Sequence, residues 1–431
     1  PAQRALQSQL GASELEDLVA SLALIRPGPI KGNMVGPFIA RHQGLEEVTY
    51  LHPGLEPILK KTKGVVLFQE QVIQIAMVIA GFTPGEADRL RRVMSHSRSR
   101  REMEELGRFF VSRAVARGME LSLAEKIFSQ IAGYASYGFC EAHAAAFAET
   151  SYKTAYLVCH YPAEYFAALL SHQPMGYYGA RTLGVEARRR GINFLPPDIN
   201  KSGADFTVEE GAIRISLRQV REMTGDVLAR ILQKRPYRSW TEFYRWVKAP
   251  RHLLQNLIFS GAFDSLHPNR KQLLWQIPFL PKGFLENGME VSGIEDFSEK
   301  EKRRQELEVL GMEINEHEMV RWRERLKRAG FLDSHSLKQL KDGVPVKTAG
   351  LLVRPHRPPT RSGKIVVFFS LEDETGLTDV TVFQDVYQQY GQLIFGRGPG
   401  LLAVQGYLQK KGRGFSIIAA KIALLKKALS W

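Results

Sequence analysis

At Val344 the hydrophobic period of this chain changes. Before that point apolar residues recur at helical spacing, as Leu15, Leu18, Val19 and Leu22 do near the start. Beyond it they fall in short runs at residues 346–353, 364–371, 378–383, 401–408 and 415–420. One helical stretch, 385–393, lies between the third and fourth runs. Five strands with a helix before the fourth outline an OB barrel. The expectation is therefore a mostly α-helical chain followed by a C-terminal five-stranded OB-fold β-barrel.

Punctuation divides the helical part. Arg26-Pro27-Gly28-Pro29 breaks the first helix, since a proline biases the residue before it away from helical angles. Residues 64–68 form a short apolar run, either a strand or a lead-in to the helix that Gln69-Glu70-Gln71 begins and Gly81 ends. Thr83, Pro84 and Glu86 have the spacing of a capped helix start, and Ser122 to Glu125 repeats the capping-box pattern. A further helix covers about 101–116, a long one 144–160, and Pro162 starts the next. Residues 172–210 are mixed, and 211–268 read as short helices at tight turns resembling paired helix-hairpin-helix units. Residues 269–340 read as a linker with one long charged helix from about 297 to 329.

The formal net charge of +14 points to a polyanionic partner. The 431 residues suit about three domains of ~150 residues. No apolar run reaches the length of a membrane span and no signal-peptide core opens the chain, so a cytoplasmic protein is expected. Cys140 and Cys159 form no CxxC pair and read as free thiols. His317 reads as a surface histidine, and Glu372-Asp373-Glu374 as a solvated hairpin tip.

The helix after Thr83 carries Arg89, Arg91 and Arg92 within one turn, and guanidinium groups grip phosphate oxygens in pairs. Alone, such a run reads first as a solvated basic face. It has company in Arg26, in the basic loop with Arg98 and Arg100, and in the loop Tyr137, Gly138, Phe139 to His143. Arginines beside an aromatic shelf suit a nucleoside triphosphate stacked over a base pair. The first hairpin of 211–268, Arg221 to Asp226, has one glycine and two acids, so a DNA grip and a packing module both stand. The barrel offers Arg354, His356, Arg357, Arg361 and Lys364 in one region, Lys410, Lys411 and Arg413 in another, and about two aromatics free to stack on single-stranded DNA. Gln276 to Leu280 resembles the short peptide that docks on the bacterial sliding clamp. No Asp-x-Asp pair of the kind that holds two metal ions is found.

Five motifs in order carry a family likeness: Leu24 to Pro29, Val66 to Val72, Asp88 to Met94, Tyr137-Gly138-Phe139 with His143-Ala144-Ala145, and His160 to Glu164. Together they resemble the alpha subunit of bacterial DNA polymerase III, in its C-terminal portion. Ser95 to Ser99, Cys140 to His143 and Gln173 to Tyr178 tilt the likeness to the error-prone, damage-associated branch. The resemblance implies polymerase fingers over 1–185, a tandem helix-hairpin-helix domain over 186–268, a linker and charged helix over 269–340, and an OB-fold over 341–431. It implies that Arg91 and Arg92 contact the incoming triphosphate. It implies template-primer DNA, deoxynucleoside triphosphates and a palm-bearing segment as partners, with magnesium held by residues outside this chain. This piece alone is expected to be inactive. The rival expectation is a non-catalytic DNA-binding or clamp-tethered accessory protein.

Overall fold

A computed structural model describes residues 6–7, 9–25, 34–95, 100–133, 139–176, 178–282, 293–360, 363–396, 400–411 and 414–429. It forms two compact units, Pro1–Ala155 with Lys411–Gly414, and Tyr156–Lys410 with Phe415–Trp431.

The first unit is helical: α1 Leu15–Leu24, α2 Val35–His42, α3 Gln69–Ala80, α4 Pro84–Ser95, α5 Arg100–Ala116, α6 Leu121–Gly133 and the start of α7 Glu141–His160. Residues 65–68 are a lead-in, not a strand. Buried Gln71 explains why. Its Oε1 accepts from the N–H groups of Leu67 (2.9 Å) and Phe68 (3.1 Å), and its Nε2 donates to Ile58 O and Thr62 Oγ1. One amide thus satisfies backbone donors that a sheet would otherwise have to pair. Gly81 ends α3 at φ +63, a left-handed value that costs glycine least. The apolar faces of α3 to α6 close over Ile75, Leu90, Phe110 and Ile127.

The second unit opens with α8 Pro162–Ser171 and α9 Ala180–Arg189, then a small sheet of β1 Phe194–Leu195, β3 Ala212–Arg214 and β2 Thr207–Glu209 in that order. Three helices follow: α10 Gly225–Gln233, α11 Trp240–Val247 and α12 Arg251–Phe259. Next come α13 Arg270–Gln276, α14 Glu299–Leu310, α15 Val320–Arg328 and α16 Ser334–Gln339. The expected single charged helix is two, because Gly311 caps α14 at φ +67. Nor is α14 a linker. Its Val309 and Leu310 lie in the same core as Phe243 and Phe263, and its buried Glu306 meets Arg270 Nη2 at 2.9 Å.

The barrel is β4 Pro345–His356, β5 Val366–Glu372, β6 Leu377–Phe383, α17 Gln384–Phe395, β7 Leu401–Lys411 and β8 Gly414–Leu424, with α18 Leu425–Ala428 after it. Its closed order, β4-β5-β6-β8-β7 with the helix before β7, is that of an OB fold. Alternation sends Val367, Phe369, Leu371, Val380 and Val382 inward.

Two surface readings are corrected by burial. His317 is 4% exposed; its Nδ1 accepts the Met319 N–H, and its Nε2 lies 3.5 Å from Glu372 Oε1. The Glu372-Asp373-Glu374 turn is no solvated tip. Asp373 is 1% exposed and accepts from the N–H groups of Ser334, Thr375 and Gly376, while Glu374 holds Arg323 through two hydrogen bonds. A carboxylate with that many donors is stable when buried.

Candidate nucleotide and nucleic-acid interface

In the first unit the candidate site forms around the start of α3. The Gln69 N–H donates to Phe139 O at 2.9 Å, and its side-chain Oε1 accepts from Arg91 Nη1 at 3.1 Å. One residue therefore brings the arginine helix beside the aromatic segment, although 69, 91 and 139 are far apart in sequence. Glu70 adds a second tie, its Oε2 accepting the Glu141 N–H at 3.0 Å. Phe139 and His143 meet edge to face with centroids 5.4 Å apart, and His143 tilts against Phe147 at 4.6 Å. Glu141 forms an ion pair with Lys61, so its charge is countered locally.

Within α4, the Thr83 capping box forms as its spacing predicts: Glu86 Oε2 accepts the Thr83 N–H at 2.7 Å, and Thr83 Oγ1 accepts the Glu86 N–H at 3.4 Å. Asp88 is the residue that sequence reading passed over. One of its oxygens accepts from Arg91 Nε (2.8 Å) and the other from Arg92 Nε (2.7 Å). Those bonds, Arg91's first, hold the Asp88 carboxyl below its ordinary range. The same fork sets the two guanidinium groups side by side, which lowers the entropy lost when an anion binds them. Arg89 points to other work, with Nη2 3.6 Å from Glu102.

Arg26, Tyr137, Gly138, Arg98, Arg361 and Arg413 lie outside the described residues, as do the side chains of Arg100 and Lys411. Among the described residues no three His, Cys, Asp or Glu side chains converge as a metal ion needs. Cys140 and Cys159 are free thiols. Among the described residues no helix is long and apolar enough to cross a membrane.

The barrel brings part of its predicted set together on β4 to β6, while Tyr407 and Lys410 lie on β7 beside the other end of β4. β4 and β5 pair His356 with Phe368, whose rings stack at 5.5 Å, and β5 and β6 pair Phe368 with Thr381 and Val366 with Phe383. Phe368, Phe383 and Tyr407 are 36%, 48% and 55% exposed, three aromatics rather than the expected two. Arg354 sits at a register shift of β4 with φ +52, its guanidinium 4.5 Å from the Tyr178 ring centroid. Arg357 lies 5.9 Å from the Tyr387 ring centroid, and Lys364 is exposed. These two tyrosines carry no sequence signal tying them to the arginines. Lys410 is partly committed elsewhere: its Nζ donates to the Lys338 carbonyl at the end of α16.

The first hairpin turn takes its left-handed residue at Glu222 (φ +65), not at Gly225, which is the first residue of α10 with open space around it. Glu222 faces His252 at 3.4 Å. The second turn carries Lys248 at φ +48 beside exposed Trp246, over which Lys234 lies at 4.9 Å. Gln276 and Ile277, the start of the expected clamp peptide, are 8% and 4% exposed. Residues lodged in their own core are not available to a partner's groove, which corrects that expectation.

Residues 1–118 match the family model described as the bacterial DNA polymerase III alpha subunit finger domain, and 191–273 match a helix-hairpin-helix motif. The error-prone DNA polymerase of Symbiobacterium thermophilum is 51% identical over 99% of this chain and 44% of its own length. Those of Bdellovibrio bacteriovorus (36% identical, 94% of this chain, 41% of the relative) and Anaeromyxobacter dehalogenans strain 2CP-C (35%, 100% and 39%) are also similar. The chain thus spans about two fifths of the length of these curated relatives. Fold, motifs and relatives agree: the chain belongs to the bacterial DNA polymerase III alpha-type family.

Proposed function

We propose that this chain is the part of an error-prone DNA polymerase that holds the incoming deoxynucleoside triphosphate and the DNA, while carboxylates elsewhere in the enzyme hold magnesium and carry the chemistry. The observation that supports this best is the Gln69 junction, which sets the paired Arg91 and Arg92 beside Phe139 and His143. Two guanidinium groups offer charge-assisted bonds to a triphosphate, and a neighbouring aromatic segment offers a surface for stacking. The outer face of the barrel, with Phe368, Phe383, Arg354, Arg357 and Lys364, suits the single-stranded template. Hairpin turns near Lys248 and Arg251 suit duplex phosphates, which position DNA without reading its sequence.

The test is primer extension by this chain combined with a palm-bearing polypeptide of the same family. Arg91→Ala and Arg92→Ala are each expected to weaken apparent triphosphate affinity at least tenfold, about 1.4 kcal/mol. Gln69→Ala, which touches no substrate in this reading, is expected to weaken it less by loosening Arg91. Unchanged affinity in both arginine variants would remove the proposed role. Magnesium-dependent incorporation by this chain alone would show that the chemistry lies within it.

A further inference from the structure

A cavity of about 1080 Å³ lies in the second unit between α14, α15 and the turn that joins them, with Lys426 of α18 at its margin. That is the size of a ligand site, ~300–1,000 Å³. Its lining holds as many acids as bases, but the two sets are not equally occupied. Glu299 pairs with Lys302 (3.5 Å), and Glu301 closes the cap of α14 on the Ser298 N–H (2.9 Å). Glu306 pairs with Arg270 (2.9 Å) and Glu316 with Arg303 (3.3 Å). Glu313 and Glu318 both pair with Arg181. Five of the six lining acids thus have a cationic partner, and Glu301 is held by the Ser298 N–H and hydroxyl.

The bases of one wall are not so held. Arg321, Arg325 and Lys426 are exposed and have no ion-pair partner among the described residues. Arg321 and Arg325 stand one turn apart on α15, about 6 Å along its axis. Half-buried Trp322 lies between them in sequence and gives the wall an aromatic surface. Within the lining, Arg303 Nε, His317 Nε2 and Glu313 Oε2 are buried without a hydrogen-bond partner, although Arg303 is ion-paired to Glu316 and His317 Nε2 faces Glu372 at 3.5 Å. The exposed, unpaired Arg321, Arg325 and Lys426, in a concave site where five of six acids already have a cation, attract an anion.

We infer that this cavity is a second phosphate-ester site, separate from Arg91 and Arg92, in which Arg321, Arg325 and Lys426 hold phosphate oxygens and Trp322 packs against the attached group. Phosphate esters reach such a site either as a nucleic-acid strand or as a free nucleotide, and the experiment separates these.

The full chain, carrying Arg91→Ala and Arg92→Ala so that the candidate triphosphate site is silent, is titrated calorimetrically with inorganic tripolyphosphate, with dATP and with a short oligothymidylate. Adding Arg321→Ala and Arg325→Ala is expected to weaken binding at least tenfold, with the Lys pair at the same positions retaining most of it. Loss for all three probes supports a general phosphate site. Loss for the oligonucleotide alone assigns the strand, and its salt dependence should then fall by roughly 1.4 in log–log slope for two lost phosphate contacts. Loss for tripolyphosphate and dATP alone assigns the free nucleotide. Lys426→Ala, on a different helix, is expected to give a smaller loss in the same direction. Equal binding in all variants, or no binding by the parent chain, overturns the inference.

Discussion

Single carboxylates decide much of this molecule. Asp88 joins half-buried Arg91 and exposed Arg92 in one fork, and Asp373 organises the β5–β6 turn by accepting backbone donors. Glu374 shows how such groups respond to pH. Burial pushes its carboxyl up, but hydrogen bonds from Arg323 and the backbone outweigh that and leave it lowered. A carboxylate that titrates lower folded than unfolded stabilises the fold above the unfolded value, ~4.3, and loses that contribution as pH falls through the folded one. Glu374→Gln is therefore expected to cost roughly 1.5–3 kcal/mol near neutral pH. The gap in Tm between the two proteins should close as pH drops below ~4. A gap that stays constant down to that range would show that the charge of Glu374 contributes nothing.

At the scale of elements, two similar capping signals had different outcomes. Thr83 forms its box, whereas α6 starts at Leu121 and the Glu120 carbonyl accepts the Ala124 N–H at 3.0 Å. Ser122 falls inside the helix and its hydroxyl turns to Glu120. The cap follows the residue at which the chain leaves the turn, and Gly118 with Met119 sets that point earlier than the Ser-x-x-Glu spacing suggests. Thr83→Ala is expected to cost about 1 kcal/mol by chemical denaturation, and Ser122→Ala close to nothing. In the barrel, Gly406 lies where β7 crosses the Ile418 carbonyl of β8 too closely for any side chain. Gly406→Ala should destabilise the barrel by about 1–3 kcal/mol, read from the denaturation midpoint. A neutral result would mean that the strands separate there at little cost.

Over the whole molecule, the outer face of the barrel carries the clearest prediction about binding. Phe368 and Phe383 sit on adjacent strands and face the same way, beside His356. Phe368→Ala and Phe383→Ala are each expected to weaken single-stranded DNA binding by about 1–3 kcal/mol, with thermal stability nearly unchanged because both side chains are substantially exposed. Lys410→Ala should matter less, since its ammonium already serves the end of α16. Equal losses from Lys410 and Phe368 would place the strand elsewhere on the barrel.

The succession of helices and then a barrel, the barrel topology and the family likeness were legible in the sequence, because period, capping residues and motif spacing are local or additive properties of the chain, whereas the small sheet of β1 to β3 and the break at Gly311 were not. The strand runs predicted at 364–371 and 378–383 became Val366–Glu372 and Leu377–Phe383. What the tertiary structure alone decided is which charges meet. No spacing ties Arg91 to Gln69, Arg354 to Tyr178, His317 to Glu372 or Glu374 to Arg323. Whether a polar side chain is solvated or buried depends on donors brought from distant segments, and only folding delivers them. That is why a histidine and an acidic turn read as surface features prove to be interior ones; the Asp88 fork is local to α4, and only its tie to Gln69 needed the fold.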